Sequence, residues 1–488
     1  MESTLGREYG SPAPREDMKR HGSAALLLVL ALSGCSQSPR RPSVLLISID
    51  TLRADHLSCY GYARPTSPRI DVLASEGVLF ESHISSSSWT LPAHTALFTG
   101  VSDSVHGNLE ALGTALSPRF VTLAEVFRSA GYATAGFYAG PYLHEAFGLS
   151  QGFDHYEGCG QGILGLASAE VERWAMDPDV MAASHQGVTN PDVYAASRAW
   201  LETHRDEPFF CFVHLWDVHF DFTPPPPYDT LFDPDYDGTI TGERFFFNRA
   251  ARTGKLDERD EQHLIALYDG EIRWTDDTVG DLLDDLADWG IAEDTIVALT
   301  SDHGTEFWDH GGIAHRTTLY DELVHVPLVL RYPRALPSGR RVAAQTRLVD
   351  VAPTLCELAG LRPPPDGMGH SLVSLARTGA LDFDNAALSE LFSVDRRLRA
   401  LRTRDGKLIE DLAEDRRTWF DLARDPGELH GHGELDRGLG ADLERAYRAR
   451  LKELALALES RAGDPEAPEL PPGVLESLKA FGYVGGDE

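Results

Sequence analysis

One stretch of the sequence combines a hydroxyl group with the signals of a helix start. Residues 90–100 read Thr-Leu-Pro-Ala-His-Thr-Ala-Leu-Phe-Thr-Gly. Threonine is a good N-cap, proline suits a first helical turn, and glycine suits the position just past a helix end. A helix start has free N–H groups and a positive dipole, so it could hold an anion beside the Thr90 hydroxyl. The pattern also fits an ordinary capped helix, because a threonine hydroxyl is a weak nucleophile unless a metal or base lowers its pKa.

Candidate metal ligands follow two of the apolar runs. Asp50 follows residues 44–49, and the pair Asp302-His303 follows residues 295–300. Carboxylate oxygens with one imidazole suit a divalent cation, which can deprotonate a hydroxyl and polarise an ester oxygen. A single Asp at a strand end is often only a cap or turn former, but three such positions at one sheet edge indicate a site. The chemistry that these residues predict is attack on a phosphate or sulfate ester.

The elements that must position these residues alternate between two patterns. Apolar runs typical of buried parallel strands occur at residues 44–49, 134–138, 209–215, 295–300 and 327–331. Helical patterns lie between or after them, at residues 67–76, 122–130, 193–203, 260–289 and 351–359. This alternation predicts an α/β fold with a doubly wound, mostly parallel sheet flanked by helices. Such sheets bind ligands at the carboxyl ends of their strands, where Asp50 and Asp302 fall.

The pattern changes beyond about residue 385. Short runs at residues 399–409 and 418–422 indicate antiparallel strands, and residues 442–460 indicate a long helix. We therefore predict an α/β catalytic domain over residues 43–384. A small C-terminal antiparallel α+β subdomain with a terminal helix is predicted over residues 385–488.

The N-terminal segment has the pattern of a targeting signal. Residues 18–21 read Met-Lys-Arg-His and are positively charged, residues 24–32 are apolar, and the small-residue run that follows ends at Cys35. This resembles a bacterial lipoprotein signal, which predicts a signal peptide over residues 1–35, a tether over 36–42 and a lipidated Cys35. The protein would then be extracytoplasmic and anchored to a bacterial membrane, on the periplasmic side or at the cell surface. An uncleaved apolar anchor is the alternative.

The charge of the chain narrows its partners. The 488 residues carry a formal net charge of −32. Binding to a nucleic-acid backbone calls for clustered basic residues, so we expect no nucleic-acid partner. Any attraction for an anionic substrate must instead be local to the site.

Several ordered motifs together resemble a known family, the sulfatase-like branch of the alkaline phosphatase superfamily. They are Ile-Asp-Thr-Leu-Arg-Ala-Asp-His at residues 49–56, Ser-Asp-His-Gly at 301–304, Tyr-Asp-Glu-Leu at 320–323, Asp-Val-Ala-Pro-Thr-Leu at 350–355 and Trp-Phe-Asp-Leu at 419–422. The resemblance runs from about residue 42 to the C-terminus. It implies the α/β fold described above and a metal-dependent ester hydrolase.

The resemblance also implies a metal site. Asp50, Asp302 and His303 would be ligands of one divalent ion, and the nucleophile Thr90 would complete its coordination. The metal could be Ca, Mn, Mg or Zn. Superfamily members with two metals need a further Asp and two His, which Asp217, His219 and His310 could supply, but nothing in their spacing singles them out. We predict one metal.

Two further catalytic roles follow from the resemblance. His219 matches a histidine that contacts the ester or protonates the leaving group. Arg316 falls near the position of a substrate-binding lysine, although the local match could slip onto His315. From the residues alone, His214 and His219 could equally be structural histidines near a buried strand end.

The departures from the family pattern decide which ester is favoured. Sulfatases have Cys or Ser, oxidised to formylglycine, where this chain has Thr90, and an Arg where it has His94. Thr51 replaces a second acid, and Ala139 and Pro141 stand where a lysine and a histidine are expected. An unmodified threonine resembles the phosphodiesterases and phosphoethanolamine transferases of the superfamily. The transferases carry several transmembrane helices that this sequence lacks, so hydrolysis is favoured.

The sequence therefore predicts a metal-dependent hydrolase that cleaves a phosphate or sulfate ester through Thr90, with a phosphoester or phosphodiester favoured. The alternatives are a sulfatase that acts without formylglycine and a non-catalytic binding lipoprotein on the same fold. The expected substrate is a small-molecule, glycan-linked or lipid-linked anionic ester. The oligomeric state is left open.

Overall fold

The computed structural model describes residues 41–109, 115–160, 188–243, 256–381, 383, 385–393, 396–433 and 437–459. The predicted signal peptide and almost all of the tether lie outside these residues. The same is true of residues 161–187 and 244–255, which belong to two Gly-, Pro- and acid-rich stretches at residues 155–190 and 221–258. None of the helices in the described ranges is long and apolar enough to cross a membrane.

A nine-stranded sheet forms the centre of the described structure. Eight strands follow the order β10-β2-β9-β6-β1-β5-β3-β4, and β11 pairs with β2 beyond the main path. The strands are β1 (Ser43–Ile49), β2 (Val78–Ile84), β3 (Ala133–Tyr138), β4 (His155–Gly158), β5 (Phe209–Leu215), β6 (Thr295–Ser301), β9 (His325–Arg331), β10 (Arg340–Val342) and β11 (Thr346–Arg347). A separate two-stranded ribbon pairs β7 (Glu306–Phe307) with β8 (Ile313–Ala314).

Helices cover both faces of this sheet. The α-helices of the described ranges are α1 (Pro68–Glu76), α2 (Thr90–Thr99), α3 (Asp103–His106), α4 (Leu123–Ser129), α5 (Asn190–His204), α6 (Glu258–Asp288), α7 (Asp321–Val324), α8 (Val351–Leu358), α9 (Val373–Thr378) and α10 (Arg437–Glu459). Short 3-10 helices occupy Ala54–His56, Ser58–Tyr60, Pro141–Leu143, Glu145–Phe147, Ala292–Asp294 and Leu348–Asp350.

Strand β1 shows why its sequence is apolar without alternation. Val44 and Leu46 belong to the hydrophobic core on one face of the sheet, while Leu45 and Ile47 belong to the core on the other face. All seven residues of β1 are buried, so neither face of the strand tolerates a regular polar position. β1 pairs in parallel with both β5 and β6. This arrangement places the ends of three strands side by side.

The predicted fold class is confirmed, with three differences in detail. The sheet is mostly parallel and covered on both faces, but β9 runs antiparallel to both β2 and β6. Strand β2 was not predicted, because its polar centre (Glu81 and Ser82) interrupts the apolar pattern.

The third difference concerns α2. Thr90, expected as the N-cap, is the first helical residue, and Trp89 occupies the N-cap position. Gly100 follows the helix with a φ of 70°, as its place in the sequence predicts.

The C-terminal part has the predicted antiparallel character. Four strands pair in chain order: β12 (Ala387–Phe392), β13 (Arg397–Arg402), β14 (Gly406–Asp411) and β15 (Arg416–Asp421). Helix α10 packs against β13 and β14 through Leu443, Tyr447 and Leu451, which are fully buried. The boundary at residue 384 between two domains stays a prediction.

Candidate active site

The site forms where two neighbouring parallel strands end opposite the start of a helix. Asp50 follows β1, Asp302 and His303 follow β6, and Thr90 begins α2. The Thr90 hydroxyl oxygen lies 3.4 Å from Asp50 Oδ2 and 3.3 Å from His303 Nε2. All four side chains are buried. The structure thus brings together the four residues that the sequence predicts as nucleophile and metal ligands.

The Asp302 and His303 side chains are held by backbone groups. Asp302 Oδ1 accepts hydrogen bonds from the N–H of His303 at 2.9 Å and of Thr51 at 3.3 Å. The ring nitrogen Nδ1 of His303 lies 2.9 Å from the Gly304 carbonyl oxygen and therefore carries the hydrogen. Asp302 Oδ2 and His303 Nε2 are left facing each other at 3.4 Å. Both remaining atoms are available to bind a cation.

Thr51, which stands where the family pattern has a second acid, does not provide a metal ligand. Its hydroxyl donates to the Val218 carbonyl, 3.0 Å away, and its backbone has a φ of 54°. This left-handed conformation turns the Thr51 N–H toward Asp302. Thr51 therefore contributes a backbone hydrogen bond to the site and no ligand atom.

The buried oxygens of the site fit a divalent cation. Among the described residues, Asp50 Oδ1 and Asp302 Oδ2 have no hydrogen-bond partner, although both are buried. Burial raises the pKa of Asp50 to about 6, even though nearby His303 and the Thr90 hydroxyl lower it. Single ligand atoms of Asp50, Asp302 and His303 lie within 4.8 Å of one another. Two carboxylates and an imidazole so placed suit a divalent ion, which would satisfy the orphaned oxygens.

His94 lies behind the nucleophile. It is four residues after Thr90 on the same helix face, and its Nδ1 lies 2.9 Å from the Thr90 carbonyl oxygen. Its Nε2 lies 3.0 Å from the hydroxyl oxygen of Ser48, on β1. Burial lowers the pKa of His94 to about 3, so the ring is neutral. His94 therefore connects α2 to β1 through its two hydrogen bonds. From the sequence alone, position 94 showed only that a histidine replaces the arginine of the family pattern.

His219 lies near this centre on a chain of aromatic contacts. Its ring centroid is 5.0 Å from that of His315, and the His315 centroid is 4.6 Å from that of His303. Nδ1 of His219 lies 2.9 Å from the Phe220 carbonyl oxygen. The structure therefore places His219 at the edge of the site, with His315 between it and His303. His315 is a site residue that the sequence reading considered only as an alternative to Arg316.

Arg316 contacts the two residues that precede Thr90 at the start of α2. Its guanidinium carbon is 3.9 Å from the centroid of the Trp89 ring, and the backbone N–H of Arg316 donates to the Ser88 carbonyl at 3.1 Å. Trp89 immediately precedes Thr90, so the Arg316 guanidinium stacks on the residue next to the candidate nucleophile.

Two of the residues that could have built a second metal site have other partners. Asp217 accepts hydrogen bonds at the start of α5 from the backbone and hydroxyl of Thr189, both at 2.6 Å, and from Trp274 Nε1 at 2.9 Å. His310 pairs with Glu322 at 2.7 Å and stacks on Tyr320. Neither side chain belongs to the candidate cation groups of the described structure.

The fold and site together define a metal-dependent ester hydrolase of the alkaline phosphatase type. The model of the family described as Sulfatase matches residues 42–361, and a model described as N-sulphoglucosamine sulphohydrolase, C-terminal, matches residues 309–455. The chain belongs to the sulfatase family. It is an ester hydrolase, which disfavours the non-catalytic alternative.

Curated relatives match much of the chain at low identity. An N-acetylglucosamine-6-O-sulfatase of Bacteroides thetaiotaomicron is 24% identical, over 93% of this chain and 94% of the relative. Among solved structures, BT4656 in complex with its substrate D-glucosamine-2-N,6-O-disulfate aligns with a TM-score of 0.71 and 20% identity, covering 88% of this chain and 100% of that chain. A phosphonate monoester hydrolase of Agrobacterium radiobacter aligns with a TM-score of 0.68 and 25% identity, covering 85% and 96%.

Proposed function

We propose that this protein hydrolyses a phosphate or sulfate ester through the unmodified hydroxyl of Thr90, with a phosphoester or phosphodiester as the favoured substrate. One observation carries the proposal: the Thr90 hydroxyl lies at the start of α2, 3.4 Å from Asp50 and 3.3 Å from His303. A nucleophile, two acids and an imidazole thus share one buried centre.

Each residue has a part in the reaction. Asp50, Asp302 and His303, completed by Thr90, would hold one divalent ion, which would lower the pKa of the hydroxyl and polarise the ester. The Thr90 hydroxyl donates its hydrogen bond to Asp50, so its proton has an acceptor when the oxygen attacks. The N-terminus of α2 and the Arg316 guanidinium stabilise the charge of the equatorial oxygens. His219 gives a proton to the leaving oxygen, and water then cleaves the threonyl ester.

The side chain at position 90 favours phosphorus. Formylglycine is an aldehyde, and the methyl group on the Thr90 β-carbon prevents its formation. The intermediate on Thr90 is therefore an ordinary ester, which water must cleave at phosphorus or sulfur. One relative by fold is a phosphonate monoester hydrolase, so this architecture accommodates chemistry at phosphorus.

A sulfate ester is the second candidate substrate. Several curated relatives are named as sulfatases of sugars or steroids. The fold relative bound to a disulfated glucosamine makes a glycan-linked anionic ester a specific case of this candidate. If this chain cleaves sulfate esters, it does so without formylglycine.

The test is a set of paired assays with metal ions added singly. We expect the wild type to cleave a bis-aryl phosphodiester or an aryl phosphomonoester faster than an aryl sulfate. Thr90→Ala should lower kcat/KM by about three orders of magnitude or more, because it removes the attacking oxygen. Thr99→Ala removes a buried hydroxyl from the same helix and should leave the rate nearly unchanged. Activity that persists in Thr90→Ala would refute the nucleophile, and a preference for the sulfate would establish the second candidate.

We also propose that the protein is anchored to a bacterial membrane through a lipidated Cys35, outside the cytoplasm. The support is the sequence pattern of residues 18–35, with its basic, apolar and small-residue parts. Expressed from its own signal, the wild type should fractionate with membranes, and Cys35→Ser should abolish labelling by a radioactive fatty acid. An unlabelled wild-type chain would contradict lipidation.

A further inference from the structure

A fully buried histidine outside the predicted ligand set faces the metal centre. His214 lies on β5, paired in register with Ser48 on β1, two residues before Asp50. Its Nδ1 lies 2.8 Å from the Ala139 carbonyl oxygen. A carbonyl can only accept, so Nδ1 carries the hydrogen and Nε2 carries the lone pair.

The lone pair of His214 points at a carboxylate. Nε2 lies 3.4 Å from Asp50 Oδ2, and no hydrogen-bond partner for it exists among the described residues. Two buried acceptor atoms at this distance repel each other unless a positive charge lies close to both. Ligands about 2.0–2.2 Å from a single metal ion are typically 3–4 Å apart, so the spacing fits shared coordination.

The neighbouring histidine does not supply that charge. The His94 ring centroid is 4.9 Å from that of His214, but both of its nitrogens have partners, in the Thr90 carbonyl and the Ser48 hydroxyl. Asp50, in contrast, lies between two imidazoles: its Oδ1 is 3.8 Å from His303 Nε2, and its Oδ2 is 3.4 Å from His214 Nε2.

We propose that His214 Nε2 is a ligand of a divalent cation held by Asp50. This inference rests on the metal centre of the proposed function and identifies the metal class that the centre takes. Among the described residues, His214 forms a candidate cation group with His94 and Asp302, and His303 forms one with Asp50 and Asp302. The two groups share Asp302, so the centre offers imidazole nitrogens from both sides, which favour Zn²⁺, Co²⁺ or Mn²⁺ over Ca²⁺ and Mg²⁺. Ala139, where the family pattern has a lysine, orients this ring through its carbonyl group.

The test measures metal binding directly. Purified protein is stripped with a chelator and titrated with Co²⁺, Zn²⁺ and Ca²⁺, and the visible absorption of bound Co²⁺ is recorded. We expect His214→Ala to weaken Co²⁺ and Zn²⁺ binding by about tenfold or more and to change the Co²⁺ spectrum. Ca²⁺ binding should change by less than about threefold, because Ca²⁺ prefers oxygen ligands.

A matched control exists in the same sheet. His83 on β2 is also fully buried. Its Nδ1 lies 2.9 Å from the Thr346 hydroxyl, and its Nε2 has no partner among the described residues. Two strands, β9 and β6, separate β2 from β1, so His83 lies away from the metal centre. His83→Ala should bind all three ions as the wild type does. His214→Asn places an amide donor where Nδ1 was and removes Nε2, so it tests the ligand role if His214→Ala fails to fold.

Unchanged Co²⁺ affinity and spectrum in a folded His214 variant would overturn the inference. An equal loss of binding in His83→Ala would also overturn it, by showing a general effect of cavities. The outcome is independent of ester cleavage. A Thr90→Ala protein that remained active would refute the nucleophile while leaving a His214-dependent Co²⁺ site intact.

Discussion

Asp50 is fully buried, so its carboxylate charge is unfavourable unless a cation or a proton neutralises it. Burial raises its pKa to about 6, above the ordinary value of 3.8. Between these two pH values the folded, metal-free protein binds a proton that the unfolded chain releases. The contribution of this group to stability is therefore present at low pH and is lost as the pH rises through about 6.

The Asp50→Asn substitution tests this charge. At pH 7.5, and without metal, the variant should be more stable than the wild type by up to about 3 kcal/mol, because it buries no charge. The difference should shrink to about 0.5 kcal/mol near pH 4, because Asp50 is then protonated in the folded protein and only about half ionised in the unfolded chain. Urea denaturation of chelator-treated protein at several pH values measures it. Asp288→Asn, on an exposed acid at the end of α6, should show no such pH-dependent gain. A gain that is the same at pH 4 and 7.5 would contradict the assignment.

At the scale of elements, the sequence predicts most of the frame that positions the site. The runs that became β1, β5 and β6 are buried on both faces, so their apolar residues are continuous and their ends are clear. Asp50 and Asp302 follow from those ends. Strand β2 was missed because its central residues are only partly buried, which breaks the run. The apolar pattern typical of a buried strand is lost where the centre of the strand is polar.

The contacts of His94 and His214 could not be predicted from the sequence. The sequence shows that His94 stands where the family has an arginine, but its two hydrogen bonds depend on the approach of β1. The His214 ring likewise lies next to Asp50 only because β5 pairs with β1. Both contacts join residues far apart in the chain, and neither spacing nor composition contains that information.

The loop that carries Asp302 and His303 is fixed by a close approach of two backbones. Gly304 donates its N–H to the Leu323 carbonyl at 2.9 Å. A Cβ placed on Gly304 would lie 2.0 Å from the carbonyl oxygen of Glu322 in α7. The loop and α7 can pack in this way only because position 304 has no side chain.

Gly304→Ala should therefore damage both stability and metal binding. We expect a loss of about 1–3 kcal/mol in the free energy of unfolding, since the backbone must shift to admit the methyl group. The shift moves His303, so Co²⁺ affinity should also fall. Gly433→Ala is the matched control, because a Cβ there meets nothing within 4 Å. Chemical denaturation and Co²⁺ titration measure both effects, and a Gly304→Ala protein equal to the control would show that the loop relaxes freely.

At the scale of the whole molecule, a buried ionic cluster joins the C-terminal sheet to the elements of the site. Lys407 on β14 is fully buried and lies 2.8 Å from both Asp321 Oδ1 and Glu428 Oε1. Arg402 on β13 pairs with the other oxygen of Asp321 at 2.7 Å. Asp321 begins α7, the helix that contacts Gly304. The ionic cluster therefore connects the C-terminal sheet, through α7, to the loop that carries Asp302 and His303.

The Lys407→Met substitution tests whether this connection positions the site. The substitution leaves Glu428 buried without its cation, which should cost about 3–5 kcal/mol of unfolding free energy. Lys452→Met, on the exposed surface of α10, changes the charge equally and should alter stability by about 0.5 kcal/mol or less. Because α7 links the cluster to His303, the Co²⁺ affinity of folded Lys407→Met should fall as well. Urea denaturation with and without Co²⁺ measures both quantities. A variant that loses stability but binds Co²⁺ as tightly as the wild type would show that the C-terminal sheet supports the fold without positioning the site.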